Sequence, residues 1–148
     1  MKKTIQLFTL LTLAFISCKK NSGDVTIDGK WVQSSMRLKN QYTDNGSVIF
    51  SEDTTSYFSH GEYTKFNSDG TYSSGSDTST VINRGTYISA DNKITMVSNY
   101  SYQGQQIHDT SVYDIKQLGS TSLNLYNNSV QNVNPGTLVS EIWIELKR

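Results

Sequence analysis

From residue 25 to the C-terminus no stretch sustains the i, i+3, i+4, i+7 apolar spacing of an amphipathic helix, while strand-length alternation recurs throughout. In Ile142-Trp143-Ile144-Glu145-Leu146-Lys147 the two Ile and the Leu fall on one face, with Glu and Lys on the other. Such a strand has one buried face and one wet face. Ile94 and Met96 alternate in the same way against Thr95 and Val97, and Leu123 and Leu125 against Asn124. A chain patterned with period two is committed to sheets, and the expected class is all-β.

Turn chemistry joins these runs into a meander. Asn67-Ser68-Asp69-Gly70 separates Tyr63-Thr64-Lys65-Phe66 from Thr71-Tyr72, and Gly70 is free to take positive φ in a short hairpin. Ala90-Asp91-Asn92, Gln103-Gly104-Gln105 and Gly119-Ser120-Thr121 punctuate the chain similarly. The predicted strands are 29–38, 46–51, 60–67, 70–76, 80–89, 92–102, 106–118, 121–127 and 138–147. Eight or nine antiparallel strands in one domain favour closure into a small barrel, because closure removes the unpaired edges of a long meander. Residues 40–59 mix polar residues with Val48-Ile49-Phe50 and suit a strand better than a short helix across a barrel end. Residues 127–137, which hold the only proline, read as a long loop.

The N-terminus has a different character. Met1-Lys2-Lys3 is a short positive region, and residues 5–16 form an apolar run ending beside Ser17. The pattern is that of a secretory signal peptide. As a helix the run reaches only about 18 Å, short of the roughly 30 Å hydrocarbon core, so a permanent span is disfavoured. The only cysteine, Cys18, follows directly. Secreted domains use cysteines in pairs, so a lone one at this point needs another explanation. Phe15-Ile16-Ser17-Cys18 resembles the lipobox of bacterial lipoproteins, in which the cysteine becomes the new, lipid-modified N-terminus. Palmitate-type acyl chains, each methylene worth about 0.8 kcal/mol when buried, then anchor the protein stably. The implied plan is a signal peptide over 1–17, a lipidated polar tether over 18–24 and a β-domain over 25–148. The expected location is the cell envelope, at the outer membrane.

The β-domain carries a resemblance of its own. Gly29-Lys30-Trp31 resembles the G-x-W motif of lipocalins, whose Trp closes the base of an eight-stranded barrel. It is followed by Tyr63-x-x-Phe66-x-x-Asp69-Gly70-Thr71-Tyr72, Gly85-Thr86-Tyr87-Ile88, Asn92-Lys93-Ile94-Thr95, Tyr113-Asp114-Ile115 and Ser122-Leu123-Asn124-Leu125. This ordered series, spanning residues 29–148, is similar to the lipocalin-like lipoproteins of Bacteroidetes. The resemblance implies a lipocalin-like barrel and makes Arg148 the candidate for the arginine that packs on the Trp of the base, here Trp31. Asp53-Thr54-Thr55 resembles the acceptor motif for O-glycosylation of exported Bacteroidetes proteins, with Thr54 as the candidate.

Composition narrows the function. Lys and Arg total 13 against 13 Asp and Glu, without blocks of like charge. A nucleic-acid binder, which neutralises several phosphates with clustered cations, is therefore not expected. The two histidines, His60 and His108, do not complete a zinc site. No G-x-S-x-G turn or phosphate-binding glycine loop is present, so neither enzymatic activity, metal nor cofactor is expected. Aromatic residues distributed over the strands remain. Two readings stay open. In one, Trp31, Met36, Tyr63, Tyr72, Tyr87, Met96 and Tyr113 line a cavity for a small apolar or amphipathic molecule. In the other, the barrel is filled by its own side chains and the protein meets a protein or glycan partner in the envelope through residues 40–59 and 127–137.

Overall fold

The structure, a computed structural model, describes residues 25–59, 61–78, 83–102 and 105–148. Cys18, the expected signal peptide and tether, and His60 lie outside the described residues. Nine strands follow one another: β1 (Gly29–Asp44), β2 (Ser47–Tyr57), β3 (Tyr63–Phe66), β4 (Thr71–Gly75), β5 (Asn83–Ala90), β6 (Lys93–Tyr102), β7 (Gln105–Leu118), β8 (Ser122–Val133) and β9 (Gly136–Lys147).

From β3 to β9 each strand pairs antiparallel with the next, β9 pairs with β1, and β1 pairs with β3 over Gly29↔Phe66 to Val32↔Tyr63. The sheet thus closes into an eight-stranded barrel, as the meander predicts. The ninth strand, β2, stands outside the closed ring. It folds back on β1 from Ser35↔Tyr57 to Asp44↔Ser47. The exchange of partners takes place at Ser34, where the β1–β9 register slips between Gln33 and Ser35. There the Gln33 N–H donates to the Glu62 carbonyl (2.7 Å) and the Phe58 N–H to the Ser34 carbonyl (3.1 Å). A bulge of this kind lets one strand serve two structures.

The wall of the barrel is uneven. β3 has 4 residues and β4 has 5, whereas β1, β8 and β9 have 16, 12 and 12. The tall strands therefore continue past the ring as a four-stranded sheet in the order β2-β1-β9-β8. Two predicted boundaries are corrected by this sheet. Residues 40–59 are mostly paired strand, and residues 127–137 form a hairpin closed by Asn134-Pro135, with Asn132 opposite Thr137. On the other side of the mouth β6 and β7 pair out to Tyr102↔Gln105, while β7 meets β8 only from Asp114↔Tyr126 to Leu118↔Leu123. The two tall parts separate above Asp114.

The core sits low in the ring and is formed by Ile27, Trp31, Phe66, Tyr72, Tyr87, Ile94, Leu123, Leu125 and Leu146. Burial of each large apolar side chain contributes about 1.5–3 kcal/mol. Phe66 meets the edge of Tyr87 with ring centroids 4.9 Å apart, a favourable T-shaped geometry. Gly85 is required by its surroundings: a Cβ there would lie 1.9 Å from the Val97 carbonyl oxygen and 2.8 Å from the Tyr72 ring. Tyr72 occupies the space that the missing side chain leaves.

Candidate functional site

The base of the barrel is closed by the residues that the sequence singles out. Trp31 is fully buried, and its indole N–H donates to the Ile27 carbonyl at 2.6 Å. The Arg148 guanidinium lies over the indole, its Cζ 3.9 Å from the ring centroid. It also donates to the Thr26 carbonyl at 3.0 Å and to the Asp28 carbonyl. Trp31 and Arg148 thus hold the segment through which the chain enters the domain. The pairing expected between them is present.

Among the described residues, those above this base enclose a small space. This cavity measures about 100 Å³ and is lined by Gln33, Thr64, Phe66, Met96, Tyr113, Leu125, Ile144 and Leu146. Of the seven expected lining residues, Met96 and Tyr113 face it. Tyr72 and Tyr87 are core residues whose hydroxyls are committed. The Tyr72 hydroxyl bonds Ser98 Oγ at 2.7 Å, and the Tyr87 hydroxyl lies 2.7 Å from Asp28 Oδ1 and 3.0 Å from the Asn67 carbonyl. Burial, then the Asp28 bond, pushes the Tyr87 phenol well above its usual value, and burial raises that of Tyr113. Met36 faces inwards in the same cross-strand row as Ile144 and Leu125, which line the cavity, but does not itself line it. Tyr63 is a correction. It pairs with Val32, whereas Thr64 opposite Trp31 lines the cavity, so Tyr63 points outwards, beneath the Lys30 ammonium at 4.4 Å. Lys65, two residues on, shares that wet face.

Outside the ring, the projecting sheet presents an organised face. Register aligns Thr55, Arg37, Trp143 and Tyr126 in one cross-strand row, and Tyr57, Ser35, Glu145 and Asn124 two residues further along on the same side. The Trp143 and Tyr126 centroids are 5.2 Å apart. Arg37 Cζ lies 5.0 Å from the Trp143 ring, and Lys116 Nζ lies 4.8 Å from that of Tyr126. Arg37 also donates from two nitrogens to Asp53, at 2.8 and 2.6 Å, which holds the Asp53 carboxyl below the usual carboxylate range. Ser35 Oγ donates to Glu145 Oε2 at 2.9 Å. Between these side chains runs an open groove of about 300 Å³, lined by Ser35, Arg37, Thr55, Tyr57, Trp143 and Glu145. A signal for it exists in the sequence: Trp143 alternates with the inward-facing, partly buried Ile142 and Ile144, which places a large aromatic on the outer face.

Thr54 lies mid-strand on β2, opposite Leu38, with its hydroxyl 3.2 Å from a Glu52 carboxylate oxygen. His108 is exposed on β7, where its Nδ1 meets the side-chain oxygen of Asn99 across the β6–β7 ladder. No group of three or more His, Cys, Asp or Glu able to hold a metal ion occurs among the described residues.

The class that fold and site define is a closed eight-stranded antiparallel barrel carrying a projecting sheet. Comparison with models of known protein families, with curated proteins and with solved structures found no match.

Proposed function

We propose that the chain is a lipid-anchored lipoprotein of the cell envelope, at the outer membrane, in which a lipocalin-like barrel supports a projecting sheet that binds an envelope partner. The observation that favours the sheet over the barrel as the binding surface is the small volume of the cavity inside the ring. Pockets for small organic ligands range over about 300–1,000 Å³. The cavity of about 100 Å³ has room for water but not for a lipid. Barrel carriage of an apolar molecule is therefore the weaker of the two functional readings.

The placement of the chain end supports the same view. Val25 and Ile27 lie at the base, under Trp31 and Arg148, while the turns at Asn45-Gly46 and Asn134-Pro135 stand at the far end of β1 and β9. A domain tethered by residues 18–24 holds its base towards the membrane and its sheet away from it. Lipocalin-like character rests on Gly29-Lys30-Trp31, on Arg148 and on eight-stranded closure.

Native mass spectrometry of the chain after exposure to a total lipid extract of its host tests the proposal. The expected result is the bare protein mass. A stoichiometric lipid adduct that disappears when Met96→Trp fills the cavity would return the function to the barrel interior.

A further inference from the structure

We infer that the groove on the outer face of the projecting sheet binds a neutral saccharide chain. The inference rests on the reading of that sheet as the binding surface, and it names the ligand class.

Three observations carry it. First, aromatic surface is offered on the outer face: Tyr57 is 82% exposed on a strand outside the barrel, and the partly exposed Trp143 stands on the face opposite the core, packed between Arg37 and Tyr126. A pyranose has patches of C–H groups that pack on aromatic rings, and a ring side chain loses little entropy on contact because it has two χ angles. Second, the groove combines donors and acceptors. Arg37 has five N–H donors and gives only two of its nitrogens to Asp53. Ser35 and Thr55 contribute hydroxyls, and Glu145 keeps acceptor capacity beyond its bond to Ser35. Sugar hydroxyls donate and accept at once, so a mixed set suits them better than it suits an apolar ligand. Third, the cations are already paired. Arg37 is paired with Asp53 at 2.6 Å, and Lys39 with Glu141 at 3.7 Å in the adjoining row. An acidic ligand would have to compete with Asp53 for the guanidinium. A neutral ligand uses the donors left over.

The groove is also open and shallow, running across β2, β1 and β9, and so admits a chain from either side. Its volume of about 300 Å³ is at the lower end of small-ligand sites, suited to a short part of a longer glycan.

The test applies the full chain, in a detergent without a sugar headgroup, to a printed array of neutral glucose, mannose and N-acetylglucosamine oligomers beside sialylated and sulfated glycans. Expected is retention on at least one neutral series, weakened about tenfold or more by Tyr57→Ala and by Trp143→Ala and unchanged by Ile88→Ser on another strand. Tyr57 is exposed enough for its truncation to leave folding intact, so the test does not depend on Trp143→Ala folding. The inference is overturned by absence of retention on every neutral series, by retention that Tyr57→Ala leaves unchanged, or by retention confined to acidic glycans and abolished by salt. A lipid adduct in the barrel would overturn the proposed function, whereas an array without neutral retention overturns only the ligand class.

Discussion

Arg148 makes several contacts at once in closing the barrel. Its guanidinium stacks on Trp31 and donates to two backbone carbonyls of the incoming segment, Thr26 and Asp28. Arg148→Ala removes the cation–π contact and the charged hydrogen bonds and should lower stability by about 1–3 kcal/mol in denaturant titration. Arg148→Lys should recover less than half of that loss, since an ammonium lacks the planar fork that faces both carbonyls. An unchanged midpoint for Arg148→Ala would deny the stack an energetic role. Tyr87 gives a pH-dependent counterpart. A free tyrosine titrates near 10.0, and burial with the Asp28 bond raises that value in the folded state. The unfolded chain therefore loses this proton first. The contribution is complete below pH 10 and is lost as pH rises further. Tyr87→Phe should flatten the fall of stability above pH 10 at the cost of about 1 kcal/mol near neutrality. The contact of Arg148 with Trp31 was legible only as an expectation from the resemblance carried by Gly29-Lys30-Trp31, since the two residues are far apart in the sequence and meet through the closure of the ring. The orientation of Tyr63 is the opposite of the one expected: Tyr63 and Phe66 are three residues apart and so face opposite ways, and only Lys65 marks which side is wet.

Strands with a core behind them announced themselves, and strands without one did not. β5, β6 and the first half of β8 alternate because one face meets Trp31, Phe66 or Ile94. Beyond the ring, β2 is exposed along its whole length, as are most of the last residues of β8, so no alternation marks them. Backbone pairing forms these strands, with the turns setting register. Asn45 and Gly46 both have positive φ (47° and 78°), which suits the Asn-Gly pair to a two-residue hairpin turn. That dipeptide was the available sign that residues 40–59 form a hairpin. The same contrast predicts unequal protection in hydrogen exchange. Amides of residues 47–57, 105–111 and 128–133 should exchange first, through local opening, while those near Ile94, Leu123 and Leu125 should exchange only with global unfolding. Uniform protection along β8 would show that the projecting sheet and the ring unfold as one unit.

At the scale of the molecule, closure was legible because a long meander otherwise leaves edges exposed. It closes over eight of the nine strands, and β2 keeps one free edge. Cavity volume was not legible, since it depends on how side chains from eight strands fill the same space. Anchoring belongs to this scale as well. Cys18→Ser should move the protein from the membrane fraction to the soluble fraction without detergent, whereas continued sedimentation with membranes would exclude the lipid anchor. β1 has a further, mechanical consequence. It runs from the base to the far turn, paired with β9 from Val32 to Thr43, with β3 at one end and with β2 at the other. A load applied between Val25 and the far turn at Asn45-Gly46 would act along this strand, so its cross-strand hydrogen bonds would be strained together in shear and not opened one by one.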